Sequence, residues 1–63
     1  MMADELRQKS AAELAVQEKE MREKLFRLRF QLAAGQMESI KKIRELRRDI
    51  ARLLTVRREK ERA

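Results

Sequence analysis

The apolar residues of this chain recur at helical intervals. Leu14, Met21, Leu25, Leu28 and Leu32 follow the three- and four-residue steps of the core positions of a heptad. Ile43, Leu46, Ile50 and Leu53 repeat the pattern, with Ile40 and Leu54 beside it. Each stripe marks a helix that must bury one face. Proline is absent, glycine occurs once, and only five residues are Val or Ile. Strong helix formers fill the rest, so the chain reads as all-α.

Start and stop signals divide it. Asp4 is placed to cap a short helix over residues 4–8, which Lys9-Ser10 ends. Ser10 and Glu13 form an S-x-x-E capping box that opens a long helix over residues 11–34. Gly35 stands where a helix end needs a left-handed residue. Residues 35–39 form the turn, Met37 packs locally there, and Ser39 is placed to cap a last helix over residues 40–58. The residues from Arg57 onward are nearly all charged. They are expected to fray into a charged tail, 59–63. The whole, 1–63, reads as a single domain, and at 63 residues without cysteine its stability alone should be marginal.

Extending the first heptad frame past Gly35 would put Lys42 and Asp49 at core positions. The frame therefore breaks, and the chain turns back on itself. The expected fold is an antiparallel two-helix hairpin with a short extra N-terminal helix. The turn sets a register in which Leu32 meets Ile43, Leu28 meets Leu46, Leu25 meets Ile50, and Met21 meets Leu53 and Leu54. Glu18 then faces Arg57 at the seam, and an ion pair is expected to close it. Leu14 has no apolar partner beyond that point, unless the first helix folds over and supplies Leu6.

Charge changes the picture from fold to partner. Lys and Arg number 17 against 11 Asp and Glu, a net of +6. Residues 1–34 hold seven basic and six acidic side chains, and residues 35–63 hold ten and five. A basic half on a small helical protein points to a polyanion: RNA, DNA or an anionic membrane. Arg44, Arg48 and Arg52 recur every four residues, with Lys41, Ala51, Thr55 and Arg58 beside them. Arginine pairs bidentately with phosphate and stacks on bases. Ala51 lets a partner approach the backbone, and Thr55 has a hydroxyl to donate to phosphate or ribose. On the long helix, Arg22, Phe26, Arg29, Phe30 and Ala33 occupy the corresponding flank. In an antiparallel pair the two flanks share one side, so the phenylalanines and arginines should face one way. Unpaired RNA bases offer stacking surfaces to such a face. Phe26 and Phe30 have an equally weighted plainer reading, packing beneath the first helix against Leu6 and Met2. A solvated charged face is likewise the plain reading of any single arginine.

Catalysis has no material here. His, Cys, Tyr and Trp are absent, and the only hydroxyls are Ser10, Ser39 and Thr55. No nucleophile has a base arranged for it. No glycine-rich phosphate loop or metal-ligand cluster is present, so no enzyme, cofactor, metal or small-molecule substrate is expected. No apolar run exceeds three residues, which is too short to span a membrane. The acidic start, Met1-Met2-Ala3-Asp4-Glu5, does not read as a secretory signal. A cytoplasmic location is expected.

Two stretches carry a family resemblance. LRFQLAAGQ, Leu28 to Gln36, and IRELRRDIARLLT, Ile43 to Thr55, together with ELR at Glu5 to Arg7, resemble bacterial large-subunit ribosomal protein twenty-nine. The likeness covers nearly the whole chain, and RRDIAR followed by Thr55 is its most specific part. It implies a helical hairpin that binds large-subunit rRNA near the polypeptide exit tunnel, as a monomer within the ribosome, beside ribosomal protein twenty-three. Carried onto this sequence, the family's basic motif falls on Arg47, Arg48 and Arg52, its small and hydroxyl positions on Ala51 and Thr55, its aromatic motif on Arg29 and Phe30, and its turn on Gln36. With Lys41 and Arg44 from the periodicity, these are the expected RNA-binding residues. Arg47 lies nearest the seam and should pack partly against it. Two other classes compete. The hairpin can pair with itself into a four-helix bundle, with Phe26 and Phe30 as a second seam. A basic amphipathic helix can lie on a membrane, though tryptophan is absent and the apolar stripes are needed internally.

Overall fold

The computed structural model describes residues 3–62 and contains three helices: α1 (Ala3–Arg7), α2 (Ala11–Ala33) and α3 (Ser39–Arg62). The hairpin is a rod of 44 × 17 × 15 Å, two helices thick.

Local chemistry explains the helix ends. Ser10 is extended at φ −70°, ψ 161°, and its hydroxyl oxygen accepts the Glu13 amide N–H at 3.2 Å. The same hydroxyl donates to the Glu13 carboxylate at 3.2 Å, a variant of the expected box. At the other end of α2, Gly35 adopts φ 98°. Its N–H bonds the Leu32 carbonyl at 3.0 Å, and the Gln36 N–H bonds the Gln31 carbonyl at 3.1 Å. This paired closure needs a left-handed residue at its centre, and glycine adopts that conformation without steric cost.

The middle of the heptad stripes meets as expected, but Leu53, expected against Met21 along with Leu54, packs instead with Leu6, Leu14 and Val56. Met21, Leu25 and Leu28 of α2 pack with Leu46 and Ile50 of α3, flanked by Ile43 and Leu54. Glu18 and Arg57 close this seam at 2.7 Å. Beyond them Leu14 is fully buried against Leu53, Val56 and Leu6. The short helix does fold over, and Leu6 is 1% exposed.

Four further expectations are corrected. Helix α3 does not fray after Arg58: it continues to Arg62. Arg7 donates from Nε and Nη2 to the two Glu59 oxygens at 3.0 and 3.2 Å, and Lys60 Nζ donates to the Arg7 carbonyl at 3.0 Å. Val56 adds an apolar anchor. These contacts hold the last turns, and basic Lys60 and Arg62 suit the negative end of the helix dipole. Ser39 lies inside α3 and not at its cap; it is buried, and its hydroxyl donates to Gln31 Oε1 at 3.5 Å. Phe26 and Phe30 do not pack beneath α1: each is 71% exposed. Val56, the residue of α3 that α1 covers, projects from the opposite flank of the hairpin, so α1 never reaches the phenylalanines. Met2, expected beside them, lies outside the described residues. Met37 is exposed and not packed at the turn.

Candidate nucleic-acid interface

A two-helix hairpin has two broad faces, and the register assigns each residue to one. Lys24 of α2 and Lys42, Glu45 and Asp49 of α3 line a shared hollow over Leu28 and Leu46. That face also carries Val56, and so α1, with Arg7 on Glu59 and Lys9 Nζ donating to Gln17 at 2.8 Å. Residues on the other side of each seam, about 100° further round per step, form the opposite face. From α2 it takes Arg22, Phe26, Arg29 and Ala33, and from α3 Arg44, Arg47, Ala51, Leu54 and Arg58. Among the described residues, no element covers it.

Charge is sorted between the faces. Among the described residues, the carboxylates on the uncovered face are Glu18 at the seam and Glu61 in the last turn of α3, with Glu23 at its margin in a hollow shared with Arg22 and Phe26. Glu18 is already engaged: Arg22 Nε donates to its Oε2 at 2.9 Å and Arg57 Nη1 to its Oε1 at 2.7 Å. Hydrogen bonds from Arg22 and then Arg57 hold the Glu18 carboxyl below the usual carboxylate range, outweighing the opposing effect of burial. Arg29 and Arg47 occupy matching flank positions and face each other across the seam on this side. Like charges so placed repel.

The candidate residues are distributed as follows. Arg29, Gln36, Lys41, Arg44, Arg47, Arg48, Arg52 and Thr55 are all exposed. Arg29, Arg44 and Arg47 lie on the uncovered face. Arg48, Lys41 and Thr55 point away from the seam, and Gln36 is in the turn. Arg44, Arg48 and Arg52 do not form a straight row. Four residues advance a helix by about 400°, so each successive arginine rotates about 40° further. Arg52 has thereby reached the acidic side and bonds Asp49 at 3.5 Å. Thr55 donates its hydroxyl to the Ala51 carbonyl at 3.0 Å. That proton is not available for a phosphate, and only the oxygen's acceptor sites remain. Arg22 and Arg58 complete the cationic face without having been singled out as contacts. Their signal was heptad position, flanking the seam beside Glu18 and Arg57, and not the every-fourth-residue spacing.

The geometry defines a class: a small helical-hairpin protein with one face closed by its own N-terminal helix and the other left open, bearing exposed arginines. The comparisons with known proteins are specific. The model of the family described as ribosomal L29 protein matches residues 4–60, and the chain belongs to this family. It is similar to the large ribosomal subunit protein uL29 of Listeria welshimeri, 51% identical over 61 residues that cover 97% of each chain. It is also similar to the proteins of that name from Geobacillus stearothermophilus and Acidobacterium capsulatum. The first is 49% identical over 61 residues, covering 97% of this chain and 92% of that one. The second is 48% identical over 60 residues, covering 95% and 66%. Among solved structures, none matches the chain.

Proposed function

We propose that this chain is a structural constituent of the large subunit of the cytoplasmic ribosome, a rigid cationic strut laid against rRNA near the polypeptide exit tunnel. Family membership supports the ribosomal role. The carrying observation for RNA is the uncovered face, where Arg22, Arg29, Arg44, Arg47 and Arg58 outnumber the carboxylates, Glu61 and the marginal Glu23 beside the engaged Glu18. Ala33 and Ala51 keep that face low, so a phosphate backbone can come close. Arg48, Arg52, Lys41, Thr55 and Gln36 extend the contact around α3 and the turn. Binding proceeds by charge neutralisation and counterion release, with shape in place of base reading. The protein sits there as a monomer, with ribosomal protein twenty-three as its neighbour, and no catalysis is involved.

The test is the salt dependence of binding to a large-subunit rRNA transcript. With about five phosphate contacts, log K falls against log salt with a slope of about −4. An affinity indifferent to salt overturns the proposal. One observation favours a second reading: two phenylalanines, four residues apart on one helix, are both exposed. In that reading they form a seam for a second hairpin, and sedimentation at micromolar concentration without RNA would reveal a stable dimer.

A further inference from the structure

We infer that Glu18, though an anion on a surface meant for a polyanion, is a positioning residue that holds Arg22 as a phosphate-binding arm. The inference rests on the rRNA-binding reading above.

The geometry is a relay of two hydrogen bonds. Arg57 reaches across the seam from α3 and fixes Glu18 Oε1 at 2.7 Å. The second oxygen, Oε2, takes Arg22 Nε at 2.9 Å. Glu18 itself is well covered, its side chain 16% exposed against 54% for Arg22. The relay therefore runs from a half-buried anchor on one helix to an exposed guanidinium on the other. Arginine carries five N–H donors in a planar fork. Glu18 takes the Nε donor, and the terminal nitrogens supply the donors of the arm. Beside them lies an open hollow lined by Ala15, Lys19, Arg22, Glu23, Phe26 and Arg27, with Glu18 also in its wall. A phosphate has room there and finds Lys19 and Arg27 as well as Arg22, against the one exposed carboxylate of Glu23. An arginine held this way loses less side-chain freedom on binding than a loose one, which favours affinity.

The relay inverts what charge alone dictates. Removing a carboxylate from the path of a polyanion should strengthen binding or leave it unchanged. A positioning role requires that it weaken binding. Glu18→Gln is expected to lower affinity for the rRNA transcript roughly three- to tenfold, the scale of one poorly held charge-assisted contact. Glu20→Gln, an equal charge change at an exposed residue outside that hollow, should not lower it. In an Arg22→Gln background the Glu18 substitution should have no further effect, because Glu18 acts through Arg22. Circular dichroism at the assay temperature establishes that each variant is helical. Arg22→Gln tests the arm independently of Glu18: the salt slope should become shallower by about 0.7–0.9, one phosphate's share. If Glu18→Gln binds as well as wild type or better, or weakens binding equally with Arg22 already gone, the inference is wrong. An unchanged salt slope for Arg22→Gln is equally fatal. Wild-type protein that binds rRNA without salt dependence would instead remove the reading beneath it.

Discussion

Glu18 and Arg57 lie 39 positions apart in the chain and meet at 2.7 Å, where the apolar seam ends. The pair ties α2 directly to α3 through two charged side chains. Near it the apolar packing divides into two clusters: Met21, Leu25, Leu28, Leu46 and Ile50 in one, and Leu6, Leu14, Leu53 and Val56 in the other. A hairpin slipped by one helical turn would lose it.

Glu18→Ala leaves the half-buried Arg57 without its partner and removes the Arg22 contact. Both arginines retain access to water, so the cost is about 1 kcal/mol. For a chain of this size that lowers Tm by roughly 4–8 °C. A thermal melt followed by circular dichroism measures it, and the double variant with Arg57→Ala should be less than additive. Fully additive losses would mean that the two side chains do not interact in solution.

Stability should fall on acidification, for a reason that can be located. Hydrogen bonds from Arg22 and Arg57 depress the Glu18 carboxyl, and the Arg7 guanidinium depresses that of Glu59. Each carboxylate thus binds its proton more weakly folded than unfolded. Their contribution is complete above the ordinary glutamate value of about 4.3 and is lost as pH falls from there through the lower folded values. Denaturant midpoints measured from neutral pH down to about pH 3 should drop in that window. Glu18→Gln should flatten part of the drop. Arg7, raised chiefly by its hydrogen bond from the side chain to Glu59, stays charged throughout.

Much of this fold could be read from spacing. Leu14 without a partner implied a third element, and Leu6 was the residue to supply it. The break in heptad phase at Gly35 implied the turn. Val56 was less legible because it sits off the seam among charged residues and becomes core only when α1 arrives. The persistence of α3 to Arg62 depends on the same event, through Arg7, Glu59 and Lys60. The site was legible in kind but less so in arrangement. Spacing by fours suggests a row, but the helical advance carries Arg52 round to Asp49. The neighbour of Thr55 that takes its proton, the Ala51 carbonyl, belongs to the backbone and leaves no mark in a pattern of side chains.

Gly35→Ala isolates backbone conformation from packing. A Cβ there would meet no atom within 4 Å, but the residue holds φ +98°. The cost is that of forcing an L side chain into the left-handed region, roughly 1–2 kcal/mol. Gly35→Asn should cost less, since asparagine tolerates that region. The denaturant midpoint should shift with its slope unchanged. A Gly35→Ala variant as stable as the wild type would show that the turn does not hold its left-handed closure in solution.

Leu6→Ala tests whether α1 is a working part of the core. Leu6 is 1% exposed and touches the cluster of Leu14, Leu53 and Val56. Buried leucine truncations cost about 2–5 kcal/mol, and a short helix that can lift away places this one toward the lower end. Amide exchange should speed up in α1 and in the last turns of α3, while amides around Leu28 and Leu46 keep their protection. Uniform loss of protection would mean that the two cores unfold as one unit.

The assignment of faces makes the sharpest claim about function, because it separates position from net charge. Arg29 and Arg47 lie on the uncovered face, and Lys24 and Lys42 lie on the face that α1 shares. Replacing either pair with alanine removes two positive charges from exposed sites. If binding depended only on the overall +6 charge, both double variants would weaken alike. The sorted face requires otherwise. Loss of Arg29 and Arg47 should make the salt slope for rRNA shallower by about 1.4–1.8, two phosphate contacts, and should relieve their mutual repulsion in the unbound protein. Free-state stability should therefore hold or rise as affinity falls. Loss of Lys24 and Lys42 should leave the slope nearly unchanged. Parallel binding titrations of the two variants over a salt series decide it, and the same slope change in both would mean that the polyanion does not choose between the faces.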